Sequence, residues 1–166
     1  MTDPFIQALV DECWRQEETC RYTALSFTIW LRRLRRIQAT CLTMPVVFGA
    51  IATWKVATRE APGWAAVCTL LATVIPIAYR ASKLDGKILQ YTRSSAVFTN
   101  LRDRFRQAAT ISVNQELTEF EKEVRALFDR LDKARSAVLT PPEWCFRKAR
   151  KKIKVGHYRH DYDEGK

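Results

Sequence analysis

The chain has 166 residues, of which 47% are hydrophobic, and it carries a net charge of +10. This length allows one ordinary domain and excludes two large ones, while the apolar content excludes disorder along the whole chain. The charge predicts a partner of opposite sign, either a nucleic acid or the anionic inner face of a membrane.

The first 36 residues divide into an acidic part and a basic part. Residues 1–20 hold five acids and one arginine and show no signal-peptide pattern, whereas residues 21–36 hold five arginines and no acid. The uncharged stretch Tyr22 to Leu31 is too short to cross a bilayer. It lies either at the membrane interface or against cytosolic helices, and the sequence leaves both alternatives open. We assign residues 1–36 to an N-terminal cytosolic or juxtamembrane helical segment.

Two long stretches then carry no charge, residues 37–54 and residues 61–79. As helices they would be about 27–29 Å long, close to the thickness of the hydrocarbon core of a bilayer. Only six residues separate them, so two spanning helices would form an antiparallel hairpin over residues 37–79. Two core helices of a soluble protein are the alternative, because both stretches contain threonine and alanine and the first contains Gln38.

The flanking residues favour the membrane. Trp54, Trp64 and Tyr79 mark the ends of the uncharged stretches, where aromatic side chains sit at headgroup level. Basic residues lie outside both stretches, namely Arg32, Arg33, Arg35, Arg36, Arg80, Lys83 and Lys87. The link between the stretches carries little charge. The positive-inside tendency therefore predicts that both termini face the cytoplasm.

Small and hydroxyl-bearing residues recur within the two predicted spans. They are Thr40, Thr43, Gly49, Thr53, Ala65, Thr69 and Thr73. Such residues either let two helices pack closely, with hydroxyls bonded to their own backbone, or line a pore between several copies. Pro45 and Pro76 are predicted kinks. Neither span holds an ionisable acid or base, which argues against a proton relay.

A heptad pattern follows within residues 80–140, which we predict to form long cytosolic helices. Apolar residues recur at alternating spacings of three and four, at Leu117, Phe120, Val124, Leu127, Leu131, Ala134 and Val138. We interpret the first five as a seam that holds copies together, in a bundle or coiled coil. Asn114 is a predicted N-cap, Thr110–Asn114 a predicted turn, and a preceding helix is expected to leave the second span directly. Residues 141–166 form a basic C-terminal tail. No segment predicts a sheet, so the fold class is all-α.

No pattern indicates an enzyme, a metal site or a cofactor site. His157 and His160 are the two histidines, and they lie in the tail without the three or four positioned ligands that a metal needs. The five cysteines contain no CxxC pair, so we expect reduced thiols. The basic clusters would fit nucleic acid in a soluble protein. Beside membrane spans, attraction to anionic lipid explains them without a further partner.

The order of these segments resembles the SLATT family. The resemblance rests on an acidic N-terminal helix, on "RRLRRIQATCL" before the first span, on "IAYRASKLDGK" after the second, and on the charged helices and basic tail that follow. It implies a two-span effector of a bacterial conflict or anti-phage defence system, in the inner membrane. It also implies a neighbouring nucleotide-signal synthase or sensor, with death or growth arrest of the cell when copies form a pore or disrupt the membrane. The rival function is a non-enzymatic anchor or adaptor that recruits a partner.

Overall fold

The computed structural model describes residues 4–58, 62–111 and 116–155. They form five helices: α1 Pro4–Ala57, α2 Pro62–Ala81, α3 Leu84–Thr110, α4 Leu117–Ser136 and α5 Glu143–Lys154. No strand occurs in these three ranges, which confirms the all-α fold class. Asn114, most of the predicted turn at 110–114, and the histidines lie outside the described residues.

Contacts divide the chain into two compact units. Unit 1 comprises Met1–Trp30 with Tyr91–Lys166, and unit 2 comprises Leu31–Gln90. Helix α1 contributes to both, because it runs without interruption from Pro4 to Ala57. Residues 4–36 of the predicted N-terminal segment and the first predicted span are thus parts of one helix, and no break in the backbone marks residue 36.

Helices α1, α3 and α4 form the main core of unit 1. Buried side chains come from one stripe of each helix: Cys13, Cys20, Ala24 and Phe27 from α1, Phe98, Leu101, Phe105 and Ala108 from α3, and Phe120, Val124, Leu127 and Leu131 from α4. Phe27 stacks on Phe98 with ring centroids 5.7 Å apart. The stretch Tyr22 to Leu31 packs on other helices through part of its length, since Leu25, Phe27 and Ile29 are buried in unit 1.

The heptad seam of α4 packs inside its own chain. Phe120, Val124, Leu127 and Leu131 are at most 3% exposed, and they belong to the core shared with α1 and α3. Only Leu117, at the start of the helix, is exposed. We therefore correct the assignment of the seam to contacts between copies. A heptad pattern requires that one face of a helix be covered, and here that face is covered by the same chain.

Helix α5 covers a second face of α1. Cys145 and Ala149 pack against Leu25 and Ile29, and Trp144 meets Trp30 edge to face at 5.9 Å. The two buried residues of α5 lie four apart, so they share one face. The opposite side of α5 is exposed and basic, with Arg147, Lys148, Arg150 and Lys151.

The thiols of unit 1 are protected by this packing. None of the five cysteines forms a disulfide bond. Burial raises the pKa of Cys13 and of Cys20 to about 11 in each case. Because the thiolate is the reactive form, both side chains act as small core residues near neutral pH.

Two leucines of the seam test this packing. Leu131→Ala removes a fully buried side chain, so we expect a loss of about 2–5 kcal/mol in the free energy of unfolding of unit 1. Leu117→Ala makes the same change at a side chain 36% exposed, and we expect about 1 kcal/mol or less. Thermal unfolding followed by circular dichroism in detergent measures both. If both variants lost the same unfolding free energy, or if Leu131→Ala lowered the mass of an oligomer without changing unfolding, the seam would lie between copies after all.

Candidate membrane-spanning unit

Unit 2 holds two helices that are long and apolar enough to cross a membrane, the second part of α1 and helix α2. Only 6% of the most apolar window of α1 and 11% of that of α2 are buried. The core helix of a soluble protein would be mostly buried. Here large apolar side chains face outward, among them Val46, Trp54, Trp64, Leu70 and Ile77.

A narrow stripe of small residues is covered within unit 2. Ala52 of α1 and Ala65 and Cys68 of α2 are buried. Ala65, one of the candidate helix-packing or pore-lining residues, is therefore covered in the folded chain. Gly49 does not provide close approach in this chain, because a Cβ placed there would meet no atom within 4 Å.

The five candidate threonines all lie on exposed positions of the helices. Each hydroxyl donates to a carbonyl of its own helix: Thr40 to Arg36 at 2.9 Å, Thr43 to Ala39 at 3.0 Å, Thr53 to Gly49 at 2.9 Å, Thr69 to Ala65 at 2.8 Å and Thr73 to Leu70 at 2.8 Å. The hydroxyls therefore need no other partner, and these faces tolerate an apolar solvent.

The two candidate kink residues lie inside helices. Pro45 is within α1 and Pro76 within α2, and both helices continue past them. Each proline lacks a backbone N–H, so the carbonyl four residues earlier loses its helical donor. These positions weaken the two helices locally without ending them.

Basic side chains border the apolar parts of both helices. Arg32, Arg33, Arg35, Arg36, Arg80, Lys83 and Lys87 are all exposed. The only described carboxylate of unit 2 is Asp85, at the start of α3. This border is therefore strongly positive, as the sequence predicts.

Asp85 joins three helices through one oxygen. Its Oδ1 accepts a hydrogen bond of 2.8 Å from Gln38 Nε2 of α1 and a short one from the hydroxyl of Tyr79 of α2. Two residues separate α2 from α3, and Lys83 has φ of 49°, in the left-handed region. Such a residue ends a helix, as a C′ residue does. Helix α3 therefore does not continue straight from α2.

The junction at Asp85 was not predicted from the sequence. A left-handed lysine carries no local signal, since glycine or asparagine usually takes that position. The pairing of Gln38 with Asp85 joins residues 47 apart in the chain. Only the antiparallel course predicted for the two stretches could have suggested it.

The described residues contain no cluster of three metal-ligating side chains. Comparison with known protein families, with curated proteins and with solved structures finds no match for this chain. The assignment to a family thus stays a hypothesis from the sequence.

The junction at Asp85 predicts a local effect on proteolysis. Asp85→Ala removes the acceptor of both hydrogen bonds. We therefore expect the free energy needed to open the turn at Lys83 to fall by roughly 1–2 kcal/mol, so that the turn opens more often. Limited trypsin digestion should then cut faster at Arg80, Lys83 or Lys87. Asp103→Ala, which removes another exposed carboxylate in α3, is the control. Equal cutting rates in both variants would contradict a restraining role for Asp85.

Proposed function

We propose that this chain is a two-span integral protein of the bacterial inner membrane, an effector whose assembled copies permeabilise that membrane on an upstream signal. The observation that carries the proposal is the exposure of large apolar side chains along both helices of unit 2. In water each such side chain would cost about 1.5–3 kcal/mol relative to its burial. A lipid environment removes that cost.

The distribution of charge supports an orientation with both termini in the cytoplasm. Seven exposed cations border the apolar stretches on the side of residues 32–36 and 80–87. The link near residue 58 carries few. Juxtamembrane cations are attracted to anionic lipid by about 1 kcal/mol each.

Permeabilisation needs several copies, because two helices enclose no lumen. The resemblance to SLATT effectors supports this part of the proposal, together with a signal supplied by a nucleotide-signal synthase or sensor encoded nearby. In such an assembly Thr69 and Thr73, exposed on α2, are candidates for the leak path.

A specific observation favours the rival function of anchor or adaptor. All five threonine hydroxyls bond to their own helix, so none of these hydroxyls requires a water-filled path. A chain of this kind could hold unit 1 at the membrane to recruit a partner. The effector and the anchor differ in one readout, the membrane potential.

Membrane insertion is tested first. We expect the protein to sediment with membranes and to remain there in carbonate and in high salt, which would release a nucleic-acid binder or a surface-bound protein. Leu70→Lys places a charge at the centre of the second predicted span, on a side chain 62% exposed. In lipid this costs about 2.5–3.5 kcal/mol, so the inserted fraction should fall. Leu139→Lys, exposed outside the spans, should change nothing. Equal insertion of both variants, or release of the wild type, would contradict the proposal.

Permeabilisation is tested by a potential-sensitive dye in cells that overproduce the chain. We expect loss of potential with the wild type, and a smaller loss with the double variant Thr69→Val and Thr73→Val, which removes both hydroxyls at nearly constant shape. Thr110→Val in α3 is the matched control. An unchanged potential at high levels of inserted protein, with or without its neighbouring genes and phage challenge, would leave the anchor as the function.

A further inference from the structure

A groove of about 420 Å³ lies between α3 and α4 in unit 1. It is lined by Val97, Asn100, Leu101, Arg130, Lys133 and Ala134. Leu101 and Ala134 are buried, whereas Val97 is exposed, so the floor is apolar. Arg130 and Lys133 are exposed one turn apart on α4, and neither takes part in an ion pair of the described residues.

Helix α1 carries a surface of the opposite character. Trp14 is 38% exposed, and Asp11 and Glu18 flank it on an exposed face. The three residues lie at i, i+3 and i+7, so they share one side of the helix. Neither carboxylate takes part in an ion pair of the described residues. We call this face the acidic Trp14 face.

The two surfaces lie on different sides of unit 1 and at different positions along α1, because Phe98, beside Val97 of the groove, stacks on Phe27, thirteen residues from Trp14. Gln16 of α1 faces α4, since Arg135 Nη2 donates to Gln16 Oε1 at 3.1 Å. Trp14 is two residues from Gln16, about 200° around the helix. It therefore points away from α4 and cannot reach the groove of its own chain.

We propose that the groove binds the acidic Trp14 face of a second copy of this chain. The indole of Trp14 would cover the apolar floor, while Asp11 and Glu18 would pair with Arg130 and Lys133. Tryptophan and arginine are the residues that most often dominate binding at interfaces, and a guanidinium also stacks on an indole. Opposite charges fix the register of the two copies.

The contact is head to tail, because a different surface of each copy is used. Such contacts repeat until a ring closes or a filament grows. The inference rests on the proposed function, because confinement in one bilayer raises the effective concentration at which so small a contact must act.

Complementary charge reversals test the contact on the full chain. One variant carries Asp11→Lys and Glu18→Lys, and the other carries Arg130→Glu and Lys133→Glu. Each alone opposes like charges at every contact, so chemical cross-linking of the protein in lipid vesicles should show monomers where the wild type shows larger species. A mixture of the two variants restores opposite charges at every contact and should restore the larger species. Trp14→Ala should raise the dissociation constant of the contact at least tenfold and so lower the assembled fraction.

The matched control is Arg104→Glu with Lys122→Glu, which makes the same change in charge at exposed positions outside the groove. It should assemble like the wild type. Recovery in the mixture excludes misfolding as the cause of the monomers. Wild-type mass in both reversed variants, no recovery in the mixture, or a monomeric wild type would overturn the proposed contact. These results do not depend on membrane potential, so a contact that forms without depolarisation would count against the effector function alone.

Discussion

Most of the large apolar side chains on the two apolar helices of unit 2 are exposed, and this constraint governs how the molecule can exist. Helical backbone satisfies its own hydrogen bonds, and the threonine hydroxyls are bonded to carbonyls of the same helices. The side chains alone therefore decide which solvent suits the surface, and Leu70 or Ile77 at more than 60% exposure favours hydrocarbon. Unit 1 has the opposite balance, with its apolar stripes closed into a core and its charges outside. One continuous helix, α1, serves both, because its covered stripe in unit 1 gives way to an outward apolar surface after Arg36.

Much of this could be predicted from the sequence, because its signals are local. Eighteen and nineteen residues without charge specify two apolar helices, and a spacing of three and four from Phe120 to Leu131 specifies one covered face of α4. What covers that face is not a local property. It is covered by α3 and by the stripe from Cys13 to Phe27 on α1, about a hundred residues away, in a region whose sequence left membrane surface and helix packing equally open. The same limit explains why the seam was assigned to contacts between copies.

The positions of two polar side chains, Glu17 and Asp85, could not be predicted from the sequence for a different reason. Glu17 is 4% exposed, and its Oε1 accepts hydrogen bonds from Arg21 Nε at 3.2 Å and Nη2 at 2.8 Å. An acid one turn before an arginine normally indicates a solvated pair on a helix surface, and only the packing of α1 shows that this one is enclosed. Asp85 is similar, since its two donors come from helices that meet only in the folded chain. In both cases the local sequence pattern is common, and it does not specify where the side chain lies in the folded chain.

The closure of the seam inside one chain separates folding from assembly. If Leu127 and Leu131 were shared between copies, unit 1 would be incomplete as a monomer, and its stability would depend on protein concentration. Because these residues are buried within the same chain, the core of unit 1 needs no second copy. In the proposed contact between copies, association would instead depend on exposed groups such as Trp14 and Arg130, and would respond to changes in local concentration or charge. If the chain is the proposed effector, its assembled state would then be regulated without unfolding unit 1.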